Sequence, residues 1–267
     1  MEVPMPQGPL VYRQRLLTRL THWVWAASLF FLMLTGLQIF NAHPSLHIGK
    51  EAGFQYDNAI LEIGAVQDGD ALRGVTRLFG VEFDTTGVLG ISGGEARAIP
   101  PALTIPSYQS LATGRVIHFF FAWVLVATLA VWLVASALDG HLRQLVPTLS
   151  DLKALPRDLI DHARLRFHHG SDYNVLQKLA YASVLFLALP LMILTGLSMS
   201  PGFNAAAPWL LDLFQGRQTA RTIHFLTMLA LLGFFAVHMA MILLAGPLNE
   251  MRSIVTGWYR TDGDENA

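Results

Sequence analysis

Four stretches of the chain are nearly continuous apolar runs, at residues 17–40, 114–138, 176–200 and 219–246. Each is long enough for a helix to cross a bilayer, which takes about 20 residues. Between them the pattern turns polar: a lead at 1–16, a loop at 41–113, a connection at 139–175, a short link at 201–218 and a tail at 247–267. The alternation predicts an all-α membrane protein, a four-transmembrane-helix bundle with a long external loop and an amphipathic cytoplasmic connection. Within 139–175 the stretch LSDLKALPRDLIDHARLRF reads as a surface-lying helix interrupted at Pro156. In the third run Pro190 predicts a kink. The first run exceeds a signal-peptide core and lacks an A-x-A-like cleavage site, so it reads as a retained helix.

Composition agrees with this plan. Of 267 residues, 53% are hydrophobic and only 14% charged, a balance too apolar for an ordinary soluble domain. The net charge of -1, with no basic run carrying interleaved aromatics, gives no basis for nucleic-acid binding. Cysteine is absent, which excludes disulfides, thiolate-held iron–sulfur clusters and covalently attached haem within this chain. Arg13, Arg15 and Arg19 flank the first run, and Arg143, Lys153, Arg157, Arg164 and Arg166 fill the middle connection. By the positive-inside rule both termini and that connection face the cytoplasm, leaving 41–113 and 201–218 outside. The outer loop is too long for a simple connection and too apolar for a bare linker, so it predicts a small ordered cap or docking surface.

Histidines inside apolar runs are functional-site candidates by default. The fourth run carries His224 and His238, fourteen residues apart. That spacing is just under four turns, so both imidazoles leave nearly one face, about 21 Å apart along the axis. His118 lies at the external end of the second run and His22 at the cytoplasmic end of the first. Depth pairs His118 with His224 and His22 with His238. Facing imidazoles across a bundle suit six-coordinate haem with both axial positions filled. Zinc fits less well, since no cysteine or placed carboxylate joins either pair. A proton relay and plain interhelical hydrogen bonds remain the other readings.

A faint repeat runs through the helices: Leu34-Thr35-Gly36-Leu37 recurs at 194–197, and Arg115-Val116-Ile117-His118-Phe119 at 221–225 as RTIHF. It is incomplete, with Ala182 in place of His22 and Trp132 in place of His238. Arg115 and Arg221 stand one turn outside His118 and His224, where a guanidinium can meet a haem propionate or simply anchor at the interface. Gly36 and Gly196 permit either a flat macrocycle or a neighbouring helix to approach closely.

The four helices, the positions of His22, His118, His224 and His238, and above all the fourteen-residue gap resemble the di-haem cytochrome b subunits of respiratory formate dehydrogenase, nickel–iron hydrogenase and thiosulfate reductase, bacterial b561-like membrane proteins. The resemblance covers about two thirds of the chain. It implies two haems b in the bacterial inner membrane, joining a periplasmic redox enzyme, of which a molybdenum enzyme is one type, to the quinone pool. Tyr173-Asn174-Val175-Leu176-Gln177-Lys178 is similar to the YNxxQK-like pattern beside the family's quinone site. Asn174 and Gln177 are quinone candidates on that ground, against the alternative of a helix N-cap and a solvated glutamine. The long outer loop departs from compact family members and leaves the partner open.

The expected function is transmembrane electron transfer between that partner and quinone, as an electron-transfer subunit with lipid around it. The alternatives are a stand-alone b561-type oxidoreductase acting on a small diffusible substrate and a haem-free membrane anchor. His43 and His47 lack a third ligand for a metal. His141, His162, His168 and His169 read as a solvated or lipid-headgroup face.

Overall fold

A computed structural model describes residues 8–53, 56, 58–164 and 174–261; Arg166, His168, His169 and Tyr173 lie outside them. Four helices are long and apolar enough to cross a membrane: helix one, Leu16–Phe40; helix two, Leu111–Leu138; helix three, Val175–Met199; and helix four, Arg217–Ala245. At 1.5 Å per residue the shortest, of 25 residues, is about 37 Å long, enough to clear a hydrocarbon core of about 30 Å. Their outer faces expose Trp123, Val134, Phe235 and Val237, large apolar side chains that are stable against lipid and costly against water. The molecule is a helical membrane protein with four candidate spans.

Helix three contains a π-helical turn, Val184–Ala188, immediately before Leu189–Met199. Pro190 explains it: proline has no N–H to return to the carbonyl of Phe186, four residues back, and its ring crowds that carbonyl. The wider turn absorbs both effects.

The chain forms two compact units. One comprises Met1–Trp25, Ala127–Pro190 and Leu229–Ala267. Here β1 (Leu10–Tyr12) pairs antiparallel with β6 (Trp258–Arg260), joining the two ends of the chain. The Arg13 guanidinium sits 4.5 Å from the centre of the Tyr259 ring. The surface helix spans Leu149–Ala163. Contrary to the sequence expectation it is not interrupted at Pro156, which lies inside it. Proline removes a single hydrogen bond, and the turns on either side are held from outside the helix. Asp151 carries Lys178 at 3.1 Å from both oxygens, and Asp158 accepts from the backbone N–H of Val175 at 3.1 Å.

The other unit comprises Ala26–Val126 and Leu191–Met228. Its loop segment is a cap built on a four-stranded antiparallel meander, ordered β2 (Ser45–His47), β3 (Ala59–Asp68), β4 (Ala71–Leu78), β5 (Val81–Asp84). The pairings Glu62↔Arg77↔Glu82 and Ile63↔Thr76↔Phe83 place charged residues on one face and mostly apolar ones on the other. Ile63 on the apolar face joins Phe40, Leu46, Ala98 and Ile99 in a buried core at the end of helix one. The chain at 85–90 crosses β3 and β4 so closely that a Cβ on Gly90 would lie 2.1 Å from the carbonyl oxygen of Gly64. Only glycine fits there, and Gly90 also has a positive φ of 86°.

Candidate functional site

The structure brings the four intramembrane histidines together in two pairs. His118 and His224 have ring centroids 6.4 Å apart with planes inclined by 56°. His22 and His238 show the same 6.4 Å and 56°. An imidazole nitrogen lies about 1 Å from its ring centre and a metal–imidazole bond is about 2 Å, so two rings on opposite sides of one metal ion have centroids about 6 Å apart. Both gaps therefore fit a single metal ion between the imidazoles. Among the described residues there is no cluster of three or more His, Cys, Asp or Glu side chains suited to a metal. Among those residues a closed structural zinc site lacks ligands, whereas a haem would need only one nitrogen from each imidazole of a pair.

Each member of the His118–His224 pair is fixed from behind by a threonine that the sequence did not single out. Thr35 Oγ1 lies 3.0 Å from His118 Nδ1 and 2.6 Å from the carbonyl of Phe31. Thr195 Oγ1 lies 2.9 Å from His224 Nδ1 and 2.6 Å from the carbonyl of Leu191. Each hydroxyl spends its one proton on the carbonyl four residues back, so Nδ1–H of the histidine donates to the hydroxyl oxygen. The proton on Nδ1 leaves the lone pair on Nε2 available to a metal. Both threonines are fully buried. They come from the repeated LTGL segments, so the repeat encodes the support of the imidazole as well as the helix. The glycines of the same segments lie beside the rings. A Cβ at Gly36 would come 3.5 Å from His118 Cε1, and one at Gly196 3.5 Å from His224 Cε1. Their nearest neighbours outside the helix are these imidazoles rather than the backbone of another helix.

The His22–His238 pair is supported differently. Phe234 stacks on His238 at 5.7 Å and 12°, and Trp23 meets His22 edge-on at 5.4 Å. His22 Nδ1 is buried without a hydrogen-bond partner among the described residues. A buried imidazole with an orphaned nitrogen is costly on its own, and a group held by this ring would offset that cost. In the place of a further histidine, Trp132 is buried, donates from Nε1 to Thr18 Oγ1 at 3.2 Å and packs on Trp25 at 5.5 Å.

The remaining candidates behave unequally. Arg115 is exposed, with its guanidinium 5.6 Å from the centre of the Phe119 ring. Arg221 instead donates from Nη2 to the backbone carbonyl of His43, and its Nη1 lies 2.9 Å from His43 Nδ1. Asn174 and Gln177 form a capping box at the start of helix three: Asn174 Oδ1 accepts from the backbone N–H of Gln177 at 2.8 Å, and Gln177 Oε1 accepts from that of Asn174 at 3.3 Å. Arg13 Nη2 also approaches Gln177 Oε1 at 3.5 Å. With both oxygens engaged, the side-chain NH2 groups are the donors left for a ligand acceptor.

His43 and His47 have ring centroids 5.7 Å apart. Burial first, then the neighbouring His43 and Arg221, hold the His47 imidazole below its ordinary pKa, with Glu62 opposing. His141 corrects the expectation of a solvated residue. It is buried, 6.2 Å from Trp132 in an edge contact, because the indole offers it an apolar wall. Beside His43 the cap carries a cleft of about 350 Å³ lined by Ser45, Glu62, Val75 and Arg77.

Comparison with known proteins places this geometry. The family described as prokaryotic cytochrome b561 matches residues 13–257. Over 129 residues the chain is 33% identical to "Putative protein-methionine-sulfoxide reductase subunit YedZ1" of Azospira oryzae. That match takes in 48% of this chain and 63% of the relative, so the chain spans less than two thirds of the relative's length.

Proposed function

Because this chain belongs to the prokaryotic cytochrome b561 family, a family of b-type haem proteins that carry electrons in membranes, we propose that it is a di-haem cytochrome b linking a periplasmic oxidoreductase to the quinone pool. The observation that carries the reading is the pair of His–His gaps with the same 6.4 Å separation. Haem supplies one-electron redox chemistry when bound; the protein supplies ligands, orientation and a dry surrounding. His118 and His224 hold one haem, with Nε2 presented by Thr35 and Thr195 and with Gly36 and Gly196 leaving room beside the ligand. His22 and His238 hold the other, packed by Trp23 and Phe234. On this reading the termini face the cytoplasm and the cap lies in the periplasm of a bacterial inner-membrane protein.

Asn174 and Gln177 form the quinone site, their NH2 groups donating to quinone carbonyls while their oxygens keep the helix capped. Arg115 serves as an interfacial anchor. The cap docks the partner, as its exposed Phe79, Val81, Phe83 and Val88 supply an apolar surface of the kind that protein partners cover. The relative named as a reductase subunit supports a protein partner over a small diffusible substrate. A molybdenum enzyme is one type of oxidoreductase that suits the role.

The test is a dithionite-reduced minus oxidised spectrum of the purified full chain. A b-type band is expected. Its absence would leave a haem-free membrane anchor as the function.

A further inference from the structure

The segment that follows helix one runs along the first turns of helix four, and three successive contacts stitch them together. The backbone N–H of Gly49 donates to Thr219 Oγ1 at 2.7 Å. The hydroxyl of Thr222 donates to the carbonyl of His47 at 2.7 Å, both groups being buried. Arg221 engages both the carbonyl and Nδ1 of His43, and its guanidinium lies 5.7 Å from the centre of the Phe40 ring. Phe40 in turn packs on Phe225 at 4.7 Å, the residue after His224. The turn that precedes a haem ligand is thereby built partly from the cap.

Arg221 stands three residues before His224, one helical turn away. Its partners at His43 are a neutral carbonyl and an imidazole nitrogen. Among the described residues no carboxylate forms an ion pair with it. The guanidinium therefore keeps its full positive charge beside the site, and His43 decides where that charge sits. A fixed positive charge near a redox centre stabilises the reduced form, which carries one positive charge fewer. With two of five N–H donors used on His43, three remain for an anionic group of the cofactor.

We propose that His43, a cap residue, is a positioning residue for Arg221, and that the His43–Arg221 pair raises the reduction potential of the haem held by His118 and His224. The cap then sets the energy of the centre it covers as well as offering a surface to a partner. This rests on the di-haem reading, and the experiment separates the two.

Potentiometric titration of the haem bands in the full chain tests it, using His43→Ala, Arg221→Gln and the double variant. Arg221→Gln should lower the midpoint of the His118–His224 haem by about 59 mV, the equivalent of an about tenfold change in a one-electron equilibrium, and His43→Ala, which removes the imidazole but leaves the backbone carbonyl, should lower it by a smaller amount. The His22–His238 haem should stay where it is. The double variant should match Arg221→Gln alone, because His43 acts through Arg221. His43→Gln, whose amide oxygen can accept from the guanidinium, should restore most of the shift. If His43→Ala does not fold, His43→Leu, which fills the space without offering a side-chain acceptor, takes its place in the comparison. An unmoved midpoint in Arg221→Gln, or additive shifts in the double variant, overturns the inference while leaving the di-haem reading intact. Absence of the His118–His224 haem from the wild-type protein overturns both.

Discussion

Thr195 accepts a hydrogen bond from Nδ1 of His224 at 2.9 Å while giving its own proton to the carbonyl of Leu191 at 2.6 Å. Thr35 does the same for His118. The hydroxyl fixes both the tautomer and the rotation of the ring. Such outer partners of a metal ligand typically matter by about 10- to 100-fold in metal affinity or activity. Thr195→Val, close in shape but without the hydroxyl, should keep the fold and weaken retention of the His118–His224 haem within that range. Haem loss to an apo-globin acceptor measures it. Equal loss rates for variant and wild type would show that the threonine only packs.

The two pairs are separable by mutation. His224→Ala should empty the site shared with His118 and leave the His22–His238 haem spectrally intact, while His22→Ala should do the reverse. Low-temperature difference spectra of the two variants should therefore differ. Identical residual spectra would mean that the ligand assignment is wrong.

Asn174 and Gln177 cap helix three as well as forming the proposed quinone site, so replacing both by leucine removes a helix cap, costing about 1 kcal/mol, together with the donors. Asn174→Asp with Gln177→Glu keeps the capping oxygens and replaces the NH2 donors by charged carboxylate oxygens, which cannot donate to a quinone carbonyl. This double variant should slow quinol-linked haem reduction at least tenfold with both haem bands unchanged. Unaltered quinone kinetics would dismiss the site.

Reading the chain by hydropathy and histidine spacing located the four long helices and all four intramembrane histidines, because bilayer thickness and helical pitch leave few alternatives for such segments. The supports were harder to see. The LTGL repeat is legible in the sequence, but the role of its threonines is not, since a threonine that bonds its own helix looks like a structural residue until a neighbouring ring is found against it. The strands of the cap escaped for a different reason. β3 and β4 span 10 and 8 residues, but their alternation is diluted by Gly64 and Gly74, and the core they cover is completed by Phe40 and Ile99, far away in sequence. The joining of β1 to β6 is a contact between opposite ends of the chain, which no local pattern can encode.

The cap makes a prediction about partners that deletion of the whole loop cannot test cleanly, since His43, His47 and Gly49 also hold helix four. Val81→Lys with Phe83→Lys changes only exposed side chains of the edge strand. Both haems should remain, quinone-linked reduction should be unaffected, and electron exchange with the native partner should fall at least tenfold. Partner-linked turnover at the wild-type rate would remove the sheet from the docking surface.

Acid stability offers a check on the surface helix. The backbone N–H of Thr148 first, then its hydroxyl and Lys178, hold the Asp151 carboxyl down at about 2. An unfolded aspartate titrates near about 4, so the depressed folded value contributes stability that is complete above that pH and fades as pH falls towards the folded value. Melting temperatures of Asp151→Asn should lie below wild type at pH 6 and converge with it on acidification. A gap that stays constant with pH would assign the effect to packing.

The central claim is that each His–His gap holds one haem, and counting haem tests it most directly. Pyridine haemochrome absorbance against quantitative amino-acid analysis of the purified full chain should give two haems b per polypeptide, falling to one in His224→Ala and to one in His22→Ala. A wild-type value of one or none would contradict the account.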